Sequence, residues 1–310
     1  MSTPSVTTPA VRTVLGDLDP AELGVCDAHD HLFFRSPLLP GQELDDPAAA
    51  AAELAAFRAA GGDAVIQWSP YGLGRGAGLL PTLSQESGVH LVAATGLHQA
   101  AHYAPELPAT LYGRLAELFV TELTQGIHGG PRAGMIKVAG GYHSLDEHTH
   151  RVMTAAAEAH HATGAPIGVH HELGTAAPAV LDLLCDRLGV PPRSVVLGHL
   201  NRFPDLRLYR ELATSGAWLA FDGPSRANHA TDPWLLDNLI ALAEAGYGDR
   251  LLLGGDTTTA AARSVNAGPG MPFLLTTLRP RIARELGESQ ADQILRVNPS
   301  RAFATVWRTP

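Results

Sequence analysis

Six side chains able to hold a metal or move a proton stand inside, or at the ends of, short apolar runs. His29 and His31 flank Asp30 in Val25-Cys-Asp-Ala-His-Asp-His31. Residues two apart on a strand point to one face, so both imidazoles enter the same interior. Lys137 interrupts Met135-Ile-Lys-Val138, His170 and His199 close two further runs, and Asp256 closes Leu251-Leu-Leu-Gly-Gly-Asp256. A single buried histidine is usually a hydrogen-bonded core residue, and a buried lysine usually pairs with a carboxylate such as Asp256. Six residues spread over five separate runs are not explained that way. Four imidazoles and a carboxylate instead make a donor set for divalent ions.

Lys137 is the odd member. An ammonium has three donors and no lone pair, and neighbouring cations repel it. Burial and those same cations can depress its pKa until the amine is neutral. A neutral amine can add CO2 to become a carbamate, an anionic two-oxygen ligand long enough to bridge two metals.

Such residues need a frame that brings distant runs to one place. Runs at 25–31, 63–69, 90–97, 133–140, 166–172, 194–200, 217–223 and 251–257 read as strands. Between them, Ala/Leu/Glu-rich stretches at 47–60, 106–125, 147–163, 176–188, 206–215, 234–245 and 272–286 carry helical spacing. Eight strands alternating with helices imply parallel pairing through right-handed crossovers. In a chain of 310 residues this is the size of a closed (β/α)8 TIM barrel, a single domain over 25–310 behind an N-terminal extension, 1–24. The C-terminal strand ends of a barrel converge on one mouth, where active sites are built. An open doubly wound sheet is the alternative, since Gly72-Leu-Gly-Arg-Gly-Ala77 reads GxGxxA between a strand and a helix. The acidic ribose partner expected about 20 residues on is missing, and a glycine-rich loop at a barrel mouth explains the segment equally well.

Composition narrows the partners. Lys+Arg 22 against Asp+Glu 31 gives a net charge of −9 with no basic block, which argues against nucleic acid and against an anionic membrane surface. No apolar run approaches the ~20 residues of a membrane helix. Residues 1–13 lack the basic and apolar regions of a signal peptide. Two cysteines, Cys26 and Cys185, make no disulfide framework, so a cytoplasmic protein acting on a small molecule is expected, with a homodimer compatible with the sequence.

Together, Cys-Asp-Ala-His-Asp-His-Leu32, Met-Ile-Lys-Val138, Thr-Gly-Ala-Pro-Ile-Gly-Val-His170, Val-Leu-Gly-His199, Leu-Gly-Gly-Asp256 and Asn-Pro-Ser-Arg301 resemble the phosphotriesterase family of the amidohydrolase superfamily over nearly the whole chain. The resemblance implies a (β/α)8 barrel with two divalent ions. His29 and His31 would hold the buried ion, and His170 and His199 the more exposed one. Carbamylated Lys137 and a water or hydroxide would bridge them, and Asp256 would complete the first site. Some relatives carry Glu in place of Lys137, so the lysine points to the carbamate branch; many carry Glu where Asp30 stands, which should leave the ligands intact. Zinc suits the imidazole–carboxylate set, with manganese, cobalt and iron as alternatives. Two cations sharing one water would supply hydroxide near neutral pH, with Asp256 accepting its proton. The expected reaction is hydrolysis of a lactone or carboxylic ester of an unphosphorylated small molecule. Amide (N-acyl) hydrolysis and phosphotriester cleavage are the alternatives on the same centre. A non-catalytic metal-binding protein would have no need of Asp256 beside an open metal face.

Substrate choice must lie in the loops after the strands. The branch that acts on phosphorylated sugar lactones, which this chain resembles, grips phosphate with a Lys after strand seven and an Arg and a Tyr after the strand-eight Asp. The aligned residues here are Asn228, Thr259 and Ala262, so all three gripping groups are expected to be absent. Trp68 and Tyr103 are read as an apolar wall for the substrate, and Arg226 as a contact to its carboxylate or carbonyl. Tyr71, Arg75, His143, His229 and Arg263 are further loop candidates.

Overall fold

The computed structural model describes residues 8–224 and 230–310. Every expected apolar run contains a strand. These are β1 (Cys26–Asp30), β2 (Ala64–Gln67), β3 (His90–Val92, continuing as Ala94–Gly96), β4 (Met135–Gly140), β5 (Ile167–His171), β6 (Val195–Leu197), β7 (Trp218–Asp222) and β8 (Leu251–Gly254). All neighbours pair in parallel. The first half of β3 pairs with β2 and its second half with β4, so the break at Ala93 turns the sheet rather than ending it. The remaining strands follow in chain order to β8. The ring closes where the Asp256 N–H donates to the His29 carbonyl at 2.9 Å. Two carboxylates of β1 reinforce the closure: Asp27 accepts the Gly255 N–H at 3.1 Å and Asp30 the Thr257 N–H at 3.0 Å. The chain is a single-domain (β/α)8 barrel.

Local chemistry accounts for the helices. Helix α1 (Pro47–Ala59) starts on Asp46, whose carboxylate accepts the Ala48 N–H, with Pro47 supplying a preset first turn. Helix α4 (Glu147–Thr163), after α2 (Leu80–Ser87) and α3 (Leu115–Thr124), starts on Asp146 and stops at Gly164, which takes a left-handed φ of 84°. The single helix expected over 106–125 is interrupted at Gly113, leaving a separate turn at Leu107–Leu111. Helix α2 and the helical stretch that begins at Glu288 were not anticipated, because both are short and mix proline or polar residues into the apolar pattern.

Within the N-terminal extension, residues 10–18 fold across the base of the barrel. Ala10–Thr13 pairs antiparallel with Gly16–Leu18 and with the C-terminal Ala304–Thr305. Buried Arg12 fixes it, donating to Asp17 at 2.7 Å and to the Leu123 carbonyl at 2.8 Å while its guanidinium lies 3.8 Å from the Trp307 ring centroid.

Inside the barrel, Ala28, Ile66, Trp68, Met135, Val196, Ala220 and Leu252 form an apolar plug. Trp68 fits only because the facing strands carry glycine: a Cβ at Gly168 would lie 2.9 Å from its ring, and one at Gly198 3.2 Å. The plug is the floor on which the mouth residues stand. Among the described residues, no helix is long and apolar enough to cross a membrane.

Candidate metal centre

The strand ends bring His29, His31, Lys137, His170, His199 and Asp256 to the C-terminal mouth. His29 lies flat on Trp68, with ring centroids 3.9 Å apart, so the plug sets the height of the first imidazole. Its Nδ1–H donates to Asp222 Oδ1 at 3.0 Å, and Asp222 Oδ2 accepts from His199 Nδ1 at 2.6 Å. A carboxylate oxygen accepts, so in each neutral ring the proton sits on Nδ1 and the lone pair on Nε2. His31 reaches the same state differently. Ser69 donates its hydroxyl to the Phe33 carbonyl and therefore accepts from His31 Nδ1 at 2.8 Å. His170 is turned the other way: its Nε2–H donates to Glu172 at 3.0 Å, leaving the lone pair on Nδ1.

Each imidazole thus has one nitrogen tied to protein and one lone pair left over. Nε2 of His29 is buried without a hydrogen-bond partner and lies 3.6 Å from Asp256 Oδ1. His31 Nε2 lies 3.6 Å from the same oxygen. The His170 and His199 rings are 4.4 Å apart. Burial, before any charge effect, holds His31 down to about 4, His170 to about 3, and His199 well below the usual histidine range, so these rings stay neutral. Neutral imidazoles, an orphaned buried nitrogen and a carboxylate fit a divalent ion. The His29, His199 and Asp222 donor atoms also lie close together, but the short Nδ1–carboxylate distances make Asp222 the group that orients the rings.

Lys137 is the only lysine in the sequence, and its residue is 2% exposed. Burial pulls its ammonium down to about 7, with Asp256 opposing the shift and Arg202 adding to it. A large share of the amine is therefore neutral near neutral pH. Gly96 of β3, at φ 107°, lets the neighbouring backbone approach, since a Cβ there would collide with the Lys137 carbonyl.

Asp256 itself takes a left-handed backbone (φ 50°), as does His199 (φ 61°), a strained conformation that turns each side chain at the end of its strand. Burial pushes the Asp256 carboxyl up, but the Arg202 guanidinium and His199 outweigh it and hold the group well below the usual carboxylate range. Arg202 pairs directly with Asp256 Oδ2 and lies 3.9 Å from Asp222, so Oδ1 is the oxygen turned toward His29 and His31.

Sequence reasoning missed Asp222, Glu172, Ser69 and Arg202. Asp222 left a signal, a carboxylate closing the apolar run 217–223 as Asp256 closes its own. Two pocket assignments need correction. Trp68 is fully buried under His29, with its indole N–H on the Ala28 carbonyl at 2.9 Å, and is no substrate wall. Tyr103 is buried too: its hydroxyl accepts the His98 N–H at 2.7 Å and donates to the Tyr71 carbonyl at 3.1 Å, shaping a loop. Arg75 is spent on a buried pair with Glu122, and Arg263 turns inward to the Leu32 carbonyl. His143 is exposed beside Phe203. Arg226, Asn228 and His229 lie outside the described residues.

Residues 9–303 match the Phosphotriesterase family. The chain belongs to that family. A phospho-furanose lactonase of Mycoplasmopsis agalactiae is 31% identical over 74% of this chain and 70% of its own length. An N-acetyltaurine hydrolase of Rattus norvegicus is 27% identical over 93% of this chain and 96% of its own. The crystal structure of a lactonase from Listeria monocytogenes superposes with a TM-score of 0.86 at 26% identity, covering 95% of this chain and 98% of that one. This phosphotriesterase-family chain is a metal-dependent hydrolase.

Asp222→Asn can accept from one ring N–H but presents its own N–H2 to the other. Metal affinity should fall about 10–100-fold, as is common when a partner behind a histidine ligand is lost. Competition against a chromophoric chelator measures it, and affinity equal to wild type would show that Asp222 does not set the donor geometry.

Proposed function

We propose that this hydrolase holds two divalent ions at the barrel mouth and cleaves a lactone or carboxylic ester of an unphosphorylated small molecule. His29, His31 and Asp256 would hold one ion and His170 and His199 the other, with carbamylated Lys137 between them. Zinc is the ion whose preferences best match this set. When bound, two such ions sharing a water would supply hydroxide near neutral pH and polarise the substrate carbonyl. The chain's own part is then specific. Asp222, Ser69 and Glu172 orient the rings, Arg202 turns Asp256, and Asp256 accepts the proton of the attacking water. The observation that carries this reading is the orphaned, buried His29 Nε2, 3.6 Å from Asp256 Oδ1, among imidazoles whose other nitrogens are already bonded. Two unpaired cysteines suit a cytoplasmic setting.

Amide hydrolysis is the second reading, favoured by the near-complete overlap with a relative named for N-acetyltaurine hydrolysis. Both reactions pass through a tetrahedral oxyanion, so one centre serves either.

The expected absence of phosphate-gripping groups has support at two of three positions. Thr259 is uncharged with its hydroxyl buried, and Ala262 is buried. Arg263 is 2% exposed and engaged with a backbone carbonyl, so it is not placed to supply the missing charge. A dianion entering without paired donors loses hydration that nothing replaces. For one lactone measured with and without its phosphate, the unphosphorylated member should be favoured by about tenfold or more in kcat/KM. Preference for the phosphorylated member would overturn this reading of the pocket.

A further inference from the structure

A hollow of about 660 Å3 opens at the end of the barrel opposite the metal centre, where β5 to β8 begin. Arg193, Arg250, Arg301 and Arg308 line it, and among the described residues no Asp or Glu does. That is unexpected in a chain of net charge −9, because four guanidinia around one concavity repel one another. Carboxylates do little to offset them. Among the described residues, the only one paired with any of the four is Asp249, at 3.8 Å from Arg250 and 4.0 Å from Arg301.

What places these groups is an aromatic floor. The Arg250 and Arg301 guanidinia each lie 5.6 Å from the centroid of the Trp218 ring. Trp218 itself is buried and donates its indole N–H to the Arg193 carbonyl at 2.8 Å, which ties the third arginine's loop to the same floor. Arg308 is anchored on the far wall through the His160 carbonyl at 3.0 Å. Cation–π contacts hold a guanidinium without neutralising it, so its donors keep their charge for a ligand. Ser194, Ser215 and Thr305 add hydroxyls to the wall.

We propose that this hollow binds a small anion carrying two or more phosphate groups, at a site separate from the metal centre. Planar guanidinium forks match phosphate oxygens in pairs, and four of them call for more than one negative group. The volume is that of a small-molecule pocket. A nucleic-acid polymer would instead meet repulsion from the acidic remainder of the surface.

Isothermal titration of the metal-loaded protein with inorganic pyrophosphate, with free divalent ion held in excess, tests the proposal. Binding should weaken about tenfold or more in the double variant Arg250→Ala/Arg301→Ala. It should weaken in the same direction in Arg193→Ala, an exposed position whose loss leaves the Trp218 floor in place. Rising salt should reduce affinity as well. No binding, or binding indifferent to both arginine variants as binding at the metal centre would be, overturns the proposal. Tighter binding of a single-stranded oligonucleotide than of pyrophosphate overturns the ligand class.

Discussion

Asp256→Asn is expected to lower kcat by about 10²–10⁴-fold while moving KM only a few-fold. The asparagine oxygen can still face His29 and His31, where Asp256 Oδ1 lies 3.6 Å from both Nε2 atoms. Its N–H2 then replaces the oxygen that pairs with Arg202, a donor set against a donor, so that contact is lost. What the amide cannot do is take a proton from the attacking water. The loss therefore falls on the chemical step rather than on substrate binding. Steady-state kinetics, with metal content measured on the same sample, check it. Turnover close to wild type would remove Asp256 from the proton path.

Lys137→Met should cost as much by another route. Methionine keeps the apolar stem in a strand that is buried along its whole length, so the barrel should survive. It cannot take up CO2, and with it goes the anionic group proposed to stand between the two ions. Metal content should fall toward one equivalent, and activity by about 10²-fold or more. A fully active methionine variant would contradict the carbamate.

The frame was legible because each strand is an apolar run closed by polar residues, and the helices between them keep their period. The mouth was legible for the same reason: in a barrel, a histidine or aspartate at the end of such a run has only one place to go. Its supporting groups were harder to see. Ser69, Glu172 and Arg202 are ordinary residue types in loop positions, and what matters is which ring nitrogen each one meets. Trp68 was misread because it follows the last residue of β2, as His31 follows the last residue of β1. The space that admits it is made by Gly168 and Gly198, a hundred and more positions away, and only the folded packing shows that pairing. Tyr103 likewise has the right type for a pocket wall, but its hydroxyl is fixed to two backbone groups.

The most direct test uses the fact that the chain has one lysine. Metal-free protein is titrated with zinc under 13C-labelled CO2, and bound metal, activity and the 13C signal of a carbamate are followed together. Activity should rise to its plateau at two equivalents of zinc, with a single carbamate resonance that is absent in Lys137→Met. Full activity at one equivalent, or at two equivalents with no carbamate resonance, would contradict a lysine-bridged pair of ions.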